Sequence, residues 1–250
     1  MSFNVKKDQQ IHVAPIDVDE WMRRNFDDGD GFTDALTVRV AFRTIGSRKQ
    51  EHVVNKLAAM VTARQSDIFP GGRLCHCEII IPVRDSKYFK ASVIKKSYAG
   101  KDDKGAIKWK AGGVHCKWTT SHDWAQKYVF LKLHAQRPDI KRMLEWALRQ
   151  DSAPFSHISY YSCVIVPGGI GPRCWDPALE KRKVPMFCTQ FCTLLLQLLA
   201  REDGSYDDNH WRRRIHEMNA ATSSPNSVYR LLVNSTGVYG DSALGAVIAV

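Results

Sequence analysis

Four strand-like segments follow one another between residues 74 and 134, and they constrain the fold more than any other feature of the chain. They cover residues 74–83, 88–98, 106–120 and 126–134, and short polar runs separate them. Strand-like segments joined by short turns favour antiparallel pairing between neighbours along the chain. The sequence therefore predicts an antiparallel meander of about four strands.

Elements of both types flank this meander. Alternation predicts a strand at 35–45, apolar spacing predicts helices at 51–64 and from Pro138 to Gln150, and a short strand is expected at 160–166. Further helices are predicted from Cys188, over 208–220 and at Ser224, and residues 237–250 form either a final strand or a mobile tail. The pattern predicts an α+β fold, with an antiparallel sheet of about four to six strands packed on helices.

Polarity divides the chain into three parts. Residues 1–34 form a polar N-terminal extension with a short helical pattern around Trp21, residues 35–232 form the folded domain, and residues 233–250 form a C-terminal tail. A chain of 250 residues that is 44% hydrophobic can bury a sizeable core.

The acidic run 27–31 lacks the glutamate that completes a calcium loop, so we predict no calcium site there.

The charge of the chain favours anionic partners or surfaces. The 36 Lys and Arg residues outnumber the 26 Asp and Glu residues, which gives a net charge of +10. The tightest basic groups, 181–183 and 212–214, are short enough to be solvated surface. Trp109 and Trp118 lie beside lysines, as in nucleic-acid binding proteins, but the period-2 placement of Trp109 is more typical of a half-buried strand. We therefore rank nucleic acid as an unfavoured partner.

The apolar stretches are too short to cross a bilayer, and the polar start carries no secretory signal, so we predict a soluble protein without a transmembrane segment. The seven cysteines lack the regular spacing of a disulfide scaffold, which favours a reducing intracellular compartment.

Cys75, Cys77, His115 and Cys116 offer zinc-type donors, but a single residue separates Cys75 from Cys77, where a zinc knuckle needs about two to four. We predict no metal and no other cofactor.

Cys188 is the strongest candidate for a reactive residue. It lies in the first turn of the apolar helix predicted after Pro185. Unpaired N–H groups and the helix dipole stabilise a thiolate there, and the thiolate is the competent nucleophile. The competing interpretation is a small buried hydrophobic residue, which we also prefer for Cys192, one turn further on.

His76 is the candidate base for this nucleophile. It opens the β-branched run 76–83, a usual position for a base at the mouth of a sheet, although it could equally be a strand-end histidine bonded to backbone groups. A thiolate and an imidazolium would hold each other charged, and N–H groups at the helix start would bind the developing oxyanion.

The third residue, which would orient the imidazole, has two candidates of equal rank. Glu78 shares a strand face with His76, but two residues along one strand usually lie too far apart for a close ring contact. His115 is expected on a nearby strand, and the strand at 88–98 offers only Ser92 near its start.

The order of these motifs resembles a known family, the circularly permuted branch of the NlpC-type papain-like cysteine hydrolases. That branch includes the lecithin retinol acyltransferase group and viral members, and its histidine precedes its cysteine. The resemblance covers roughly residues 70–232 and depends on five motifs, which are His76 at the head of a strand, the meander, Pro154-Phe155-Ser156, Phe187-Cys188-Thr189 and Ser224-Pro225-Asn226.

The resemblance implies a permuted papain-like fold in which Cys188 is the nucleophile and His76 the general base. It implies a thiol hydrolase or acyl transferase that cleaves an amide, isopeptide or ester bond in a peptide, amide or acyl-lipid substrate through an acyl-cysteine. It also brings in an association with viral particles. The alternative is an inactive form of the same fold that serves as a structural or interaction module in host or virion.

Overall fold

The computed structural model describes residues 17–26, 35–45, 53–62, 73–82, 88–101, 107–119, 128–200 and 206–240. The helices and strands in these ranges are α1 (Val18–Phe26), β1 (Ala35–Thr44), α2 (Val53–Thr62), β2 (Leu74–Pro82), β3 (Tyr88–Lys101), β4 (Ile107–Thr119), β5 (Tyr128–Gln136), α3 (Arg137–Gln150), α4 (His157–Ile165), α5 (Cys188–Leu199), α6 (Trp211–His216), α7 (Pro225–Val233) and β6 (Val238–Gly240). Short 3-10 turns lie at Pro177–Lys181 and Ala220–Thr222. The protein is α+β, as predicted.

The six strands form one sheet in the order β4-β3-β2-β1-β5-β6, and all neighbours are antiparallel. The predicted meander is right for β2, β3 and β4 and wrong for β5, which pairs with β1 from Ala35↔Gln136 to Arg43↔Tyr128. This pairing puts Val38 and Val40 of β1 beside Leu133 of β5 in one buried layer. Burial of both strands in the same core thus outweighs the shorter connection from β4 to β5.

The main core lies between one face of the sheet and the helices. All twelve residues of α5 are buried, and this helix packs on β2 and β3 while α3, α6 and α7 surround it. Trp146 of α3 and Phe191 of α5 lie with their ring centroids 5.7 Å apart. The opposite face of the sheet carries a smaller apolar cluster around Ile80 and Phe130.

Helix α4 occupies the position where the sequence predicted a short strand at 160–166. Ser156 caps the helix, because its Oγ accepts a hydrogen bond from the backbone N–H of Ser159 at 3.1 Å. Tyr, Val and Ile in this segment favour a strand only weakly, and a serine cap stabilises a helix by about 1 kcal/mol. The cap and the packing of Ser159 and Ser162 against the domain therefore decide the local structure.

The predicted helix at 208–220 is shorter than expected, because α6 ends at His216 and Asn219 caps a separate 3-10 turn. The prediction that 212–214 lies wholly on the solvated surface is also wrong. Arg212 is buried, and its guanidinium lies 3.6 Å from the Asp139 carboxylate and donates to the His134 carbonyl at 3.1 Å. The other basic group, 181–183, is exposed as predicted.

Both terminal segments contact the central domain where they are described. Helix α1 packs on α3, where Met22 is buried and Asp19 pairs with Lys141. Strand β6 pairs with β5 through Leu133↔Val238 and Leu131↔Gly240. The acidic run 27–31 and residues 241–250 lie outside the described residues. Within the described part of the chain, no helix is both long and apolar enough to cross a membrane.

Candidate active site

Cys188 is the first residue of α5 and so lies in the first turn of the helix, as predicted. Two backbone hydrogen bonds fix the start of this helix, from Met186 N to Pro154 O at 3.2 Å and from Ser156 N to Met186 O at 3.0 Å. The segment that caps α4 therefore also positions Cys188. The cysteine side chain is 8% exposed and lies 3.8 Å from Thr189 Oγ1.

A β-bulge places His76 at the start of β2. His76 pairs with Arg43 of β1, whereas Leu74 pairs with the next residue, Thr44, so Cys75 is an extra residue in β2. A bulge bends the strand and changes the direction of nearby side chains. The His76 imidazole and the Cys188 thiol lie close enough for each to shift the pKa of the other.

Glu78 makes the close ring contact that we did not expect from its place on the same strand. Glu78 Oε2 lies 3.3 Å from His76 Nε2, and Ser92 Oγ of β3 lies 3.2 Å from the same nitrogen. Lys90 Nζ holds the carboxylate in place at 2.7 Å. Because the two side chains lean toward each other from the same face, the expected separation along the strand does not prevent the contact.

This contact selects one tautomer of His76. Burial acts to raise the pKa of Glu78, but the charge of Lys90 and the hydrogen bond with His76 lower it to about 2, so the carboxylate is ionised and can only accept a hydrogen bond. His76 Nε2 must therefore carry the proton, which leaves Nδ1 of the neutral imidazole as a proton acceptor.

His115 occupies a different position. It pairs with Ser92 in the sheet, one strand further from His76, and within the described residues it makes no hydrogen bond to His76. Burial lowers the pKa of His115, and Asp151 opposes the shift. Of the two candidates for an orienting residue, Glu78 is the one in contact with the imidazole.

The electrostatics of Cys188 differ from the expectation of a helix-stabilised thiolate. The neighbouring Cys77 thiol and burial raise the pKa of Cys188 to about 12, although His76 acts in the opposite direction. Burial lowers the pKa of His76, but Cys188 and Glu78 raise it to a net value above its ordinary one. At neutral pH the site therefore holds Cys188 as a thiol, because the Cys77 thiol and burial outweigh the opposing effect of His76.

A small cleft opens beside Cys188. Its lining comes from α2, the start of β2, α4, the start of α5 and the segment that caps α7; the lining residues are Ala59, Thr62, Leu74, Cys75, Tyr160, Cys163, Phe187, Cys188, Thr189, Ser223, Ser224 and Pro225. No pattern in the sequence indicates that Tyr160 and Cys163 line this cleft, because the pattern at 160–166 predicts a strand. The serine that caps α4 was the local signal that could have placed them on a helix.

Among the described residues, no group of three or more His, Cys, Asp or Glu side chains is arranged so that it could hold a metal ion. Cys116 Sγ donates to the Ala147 carbonyl at 3.2 Å. Cys77 is fully buried beside Cys188 and Cys192, and Cys192 lies in the core as predicted.

Comparison of the chain with protein-family models, with curated proteins and with solved structures finds no match. The likeness to the permuted papain-like hydrolases therefore stays a prediction. Any activity must be inferred from the geometry of the site itself.

Proposed function

We propose that the protein is a thiol hydrolase or acyl transferase that cleaves an amide, isopeptide or ester bond through an acyl-cysteine at Cys188. The observation that carries this proposal is the row Lys90, Glu78, His76 and Cys188, in which a buried carboxylate fixes the imidazole next to a thiol at a helix start. A nucleophile, a base and a group that orients the base are the elements of nucleophilic catalysis.

The reacting form of the site has a neutral thiol and a neutral imidazole, and this form prevails above the raised pKa of His76. As the sulfur attacks the substrate carbonyl, its proton passes to His76 Nδ1, and Glu78 stabilises the imidazolium that forms. The imidazolium then protonates the leaving amine or alcohol, and the carbon–heteroatom bond breaks to give a thioester. Water or another acceptor attacks the thioester and transfers its proton to His76. The carbon–sulfur bond then breaks, and the imidazolium returns the proton to the sulfur, which restores the thiol.

The raised pKa of Cys188 is compatible with this sequence of steps. A thiol with a neutral imidazole and a thiolate with an imidazolium contain the same number of protons, so the transfer needs no proton from solvent. The energy of that transfer adds to the barrier of the attack. We therefore expect a slower nucleophile than a site with a preformed ion pair.

The start of α5 supplies donors for the oxyanion. The N-cap residue Phe187 provides no side-chain hydrogen bond to the first N–H groups of the helix, and the helix starts at residues that line the cleft. Donors fixed in this way stabilise the negative charge of a tetrahedral intermediate. The cleft beside Cys188 would hold the acyl part of a peptide, amide or acyl-lipid substrate, with Tyr160 and Phe187 as its aromatic wall.

Acylation by a small activated ester tests the proposal. The protein is incubated with p-nitrophenyl acetate, and intact and peptide mass spectrometry locate any added acetyl group. We expect one acetyl group on Cys188, none in Cys188→Ala, and strongly reduced acylation in His76→Gln. Cys174→Ala is the control, since it removes an exposed thiol that does not line the cleft and should leave the acylation of Cys188 unchanged.

The alternative function is a non-catalytic module that acts in binding or structure. The low exposure of Cys188 and its raised pKa favour this alternative, because a structural cysteine shows both properties. Absence of acetyl-Cys188 in the wild-type protein would support it over the enzyme. All seven cysteines are free thiols, which favours a reducing intracellular location for either function. An association with virions would depend on the resemblance alone.

A further inference from the structure

Helix α4 turns polar side chains toward the protein and apolar side chains toward the outside, which is the reverse of an ordinary surface helix. Its inner face carries Ser159 and Ser162, which are buried, while its outer face carries Ile158, Tyr161 and Ile165. Ile158 is 69% exposed and Ile165 is 78% exposed. A surface helix normally buries its apolar stripe and exposes polar side chains. The reversal indicates that the outer face of α4 meets an apolar environment.

Helix α2 adds to the same apolar surface. It contacts α4, and it exposes Leu57, Met60 and Val61, of which Val61 is 68% exposed. We call these six residues, Leu57, Met60, Val61, Ile158, Tyr161 and Ile165, the α2–α4 face. Single exposed apolar residues are common, but a set of large aliphatic side chains on two adjoining helices marks an interaction surface.

Two lysines lie on or beside the two helices. Neither α2 nor α4 contains an Asp or Glu residue. Lys56 is exposed on α2, and Lys95 Nζ donates to the Tyr161 hydroxyl at 3.0 Å and lies 5.3 Å from the centre of its ring. With the net charge of +10, this arrangement complements a negatively charged partner.

We propose that the α2–α4 face docks the protein on the surface of an anionic lipid bilayer. The most exposed members, Val61, Ile158 and Ile165, protrude from the surface instead of lining a groove, so a fluid acyl phase can accept them where a rigid protein partner would need matching pockets. Tyr161 and Lys95 place an aromatic hydroxyl and an ammonium beside the aliphatic residues, which is the arrangement that suits the headgroup layer.

This docking is peripheral, and it is independent of the proposed reaction at Cys188. An inactive protein would bind the bilayer in the same way, so binding and acylation can fail separately. If both hold, the two helices that dock the protein also contribute Ala59, Thr62, Tyr160 and Cys163 to the cleft, and the site would act on groups presented close to the lipid surface.

Vesicle flotation tests the proposal with the full chain. The vesicles are phosphatidylcholine alone or phosphatidylcholine with about 30% phosphatidylserine, at low and at physiological salt. We expect binding to the anionic vesicles that weakens with salt, and about tenfold weaker binding for Val61→Asp/Ile165→Asp, because a carboxylate replaces an inserting aliphatic side chain and adds repulsion. Tyr239→Asp, at an exposed aromatic residue on β6, is the matched control and should bind like the wild type.

Two results with vesicles would overturn the proposal: no binding of the wild-type protein to anionic vesicles at low salt, or equal binding by the wild type and the double aspartate variant. A third is a wild-type dimer in light scattering that the double variant abolishes, together with an absence of vesicle binding. The last result would assign the face to a second copy of the chain. If the double aspartate variant fails to fold by circular dichroism, Val61→Ser/Ile165→Ser replaces it, and unchanged binding by that variant would overturn the proposal equally.

Discussion

The variant Glu78→Gln, which removes a buried carboxylate, should have a free energy of unfolding that changes less than that of the wild type as the pH falls. Glu78 is 1% exposed, pairs with Lys90 Nζ at 2.7 Å and contacts His76 Nε2 at 3.3 Å. These contacts lower the pKa of Glu78 from 4.5 to about 2 in the folded protein. The ionised carboxylate therefore stabilises the fold at any pH above 4.5, and this contribution is lost as the pH falls toward 2.

The size of the effect follows from the pKa difference between the folded and unfolded states. A shift from 4.5 to about 2 corresponds to about 3 kcal/mol of folding stability at neutral pH. At pH 3 the folded carboxylate is still ionised but the unfolded one is protonated, so roughly half of that contribution remains. The glutamine side chain keeps the shape but has no charge, and it leaves the Lys90 ammonium without its partner.

The assay is urea unfolding followed by tryptophan fluorescence at pH 7, 5, 4 and 3. We expect Glu78→Gln to be about 3 kcal/mol less stable than the wild type at pH 7, with the gap narrowing by roughly half at pH 3. Asp208→Asn is the control, because Asp208 pairs with Arg213 at 2.9 Å on the exposed surface, where a pair contributes about 0.5 kcal/mol or less. A gap below about 0.5 kcal/mol at pH 7, or a gap that does not change with pH, would refute the reasoning.

Three further changes test the surroundings of the site. Cys77→Ala removes the thiol that raises the pKa of Cys188, so alkylation of Cys188 at pH 8.5 should become faster, and slower or equal labelling by peptide mass spectrometry would contradict this. Asn226→Ala breaks the bonds that the buried amide makes with the backbone N–H and carbonyl of Leu74, at 3.1 and 3.3 Å, and should cost about 2 to 4 kcal/mol in urea unfolding. Ser156→Ala removes the cap of α4 and should cost about 1 kcal/mol in the same assay, without affecting the secondary structure outside α4 in circular dichroism.

Local pattern was sufficient to predict most elements of this fold. Strand-like patterns located β1 to β4, and the apolar run after Pro185 placed Cys188 in the first turn of α5. Two features of the fold differed from the prediction. Strand β5 could pair with β4 or with β1, at opposite edges of the sheet formed by the first four strands. No short stretch of sequence decides between these two partners. The helical state of 157–165 depended on a single cap and on the burial of its serine face.

Some features of the candidate site could also be predicted from local sequence patterns, and others could not. The residue types and their order indicated Cys188 and His76, because a helix start and a strand start are local features. The contact of Glu78 with His76 depends on how two long side chains lean and on Lys90 and Ser92 of the next strand. The raised pKa of Cys188 depends on Cys77, which is more than 100 residues away in the sequence. Distances of this kind follow only from the three-dimensional arrangement.

The most direct test of the Cys188–His76 pair is the rate of alkylation of Cys188 by iodoacetamide between pH 5 and pH 10, in the wild type and in His76→Gln. If His76 accepts the thiol proton, the wild-type rate rises through the pKa of His76, above 6.5, and then reaches a plateau. The variant, whose thiol has lost its base, should react slowly and without a plateau up to pH 10. Profiles of the same shape in both proteins would contradict the account and make Cys188 a structural residue.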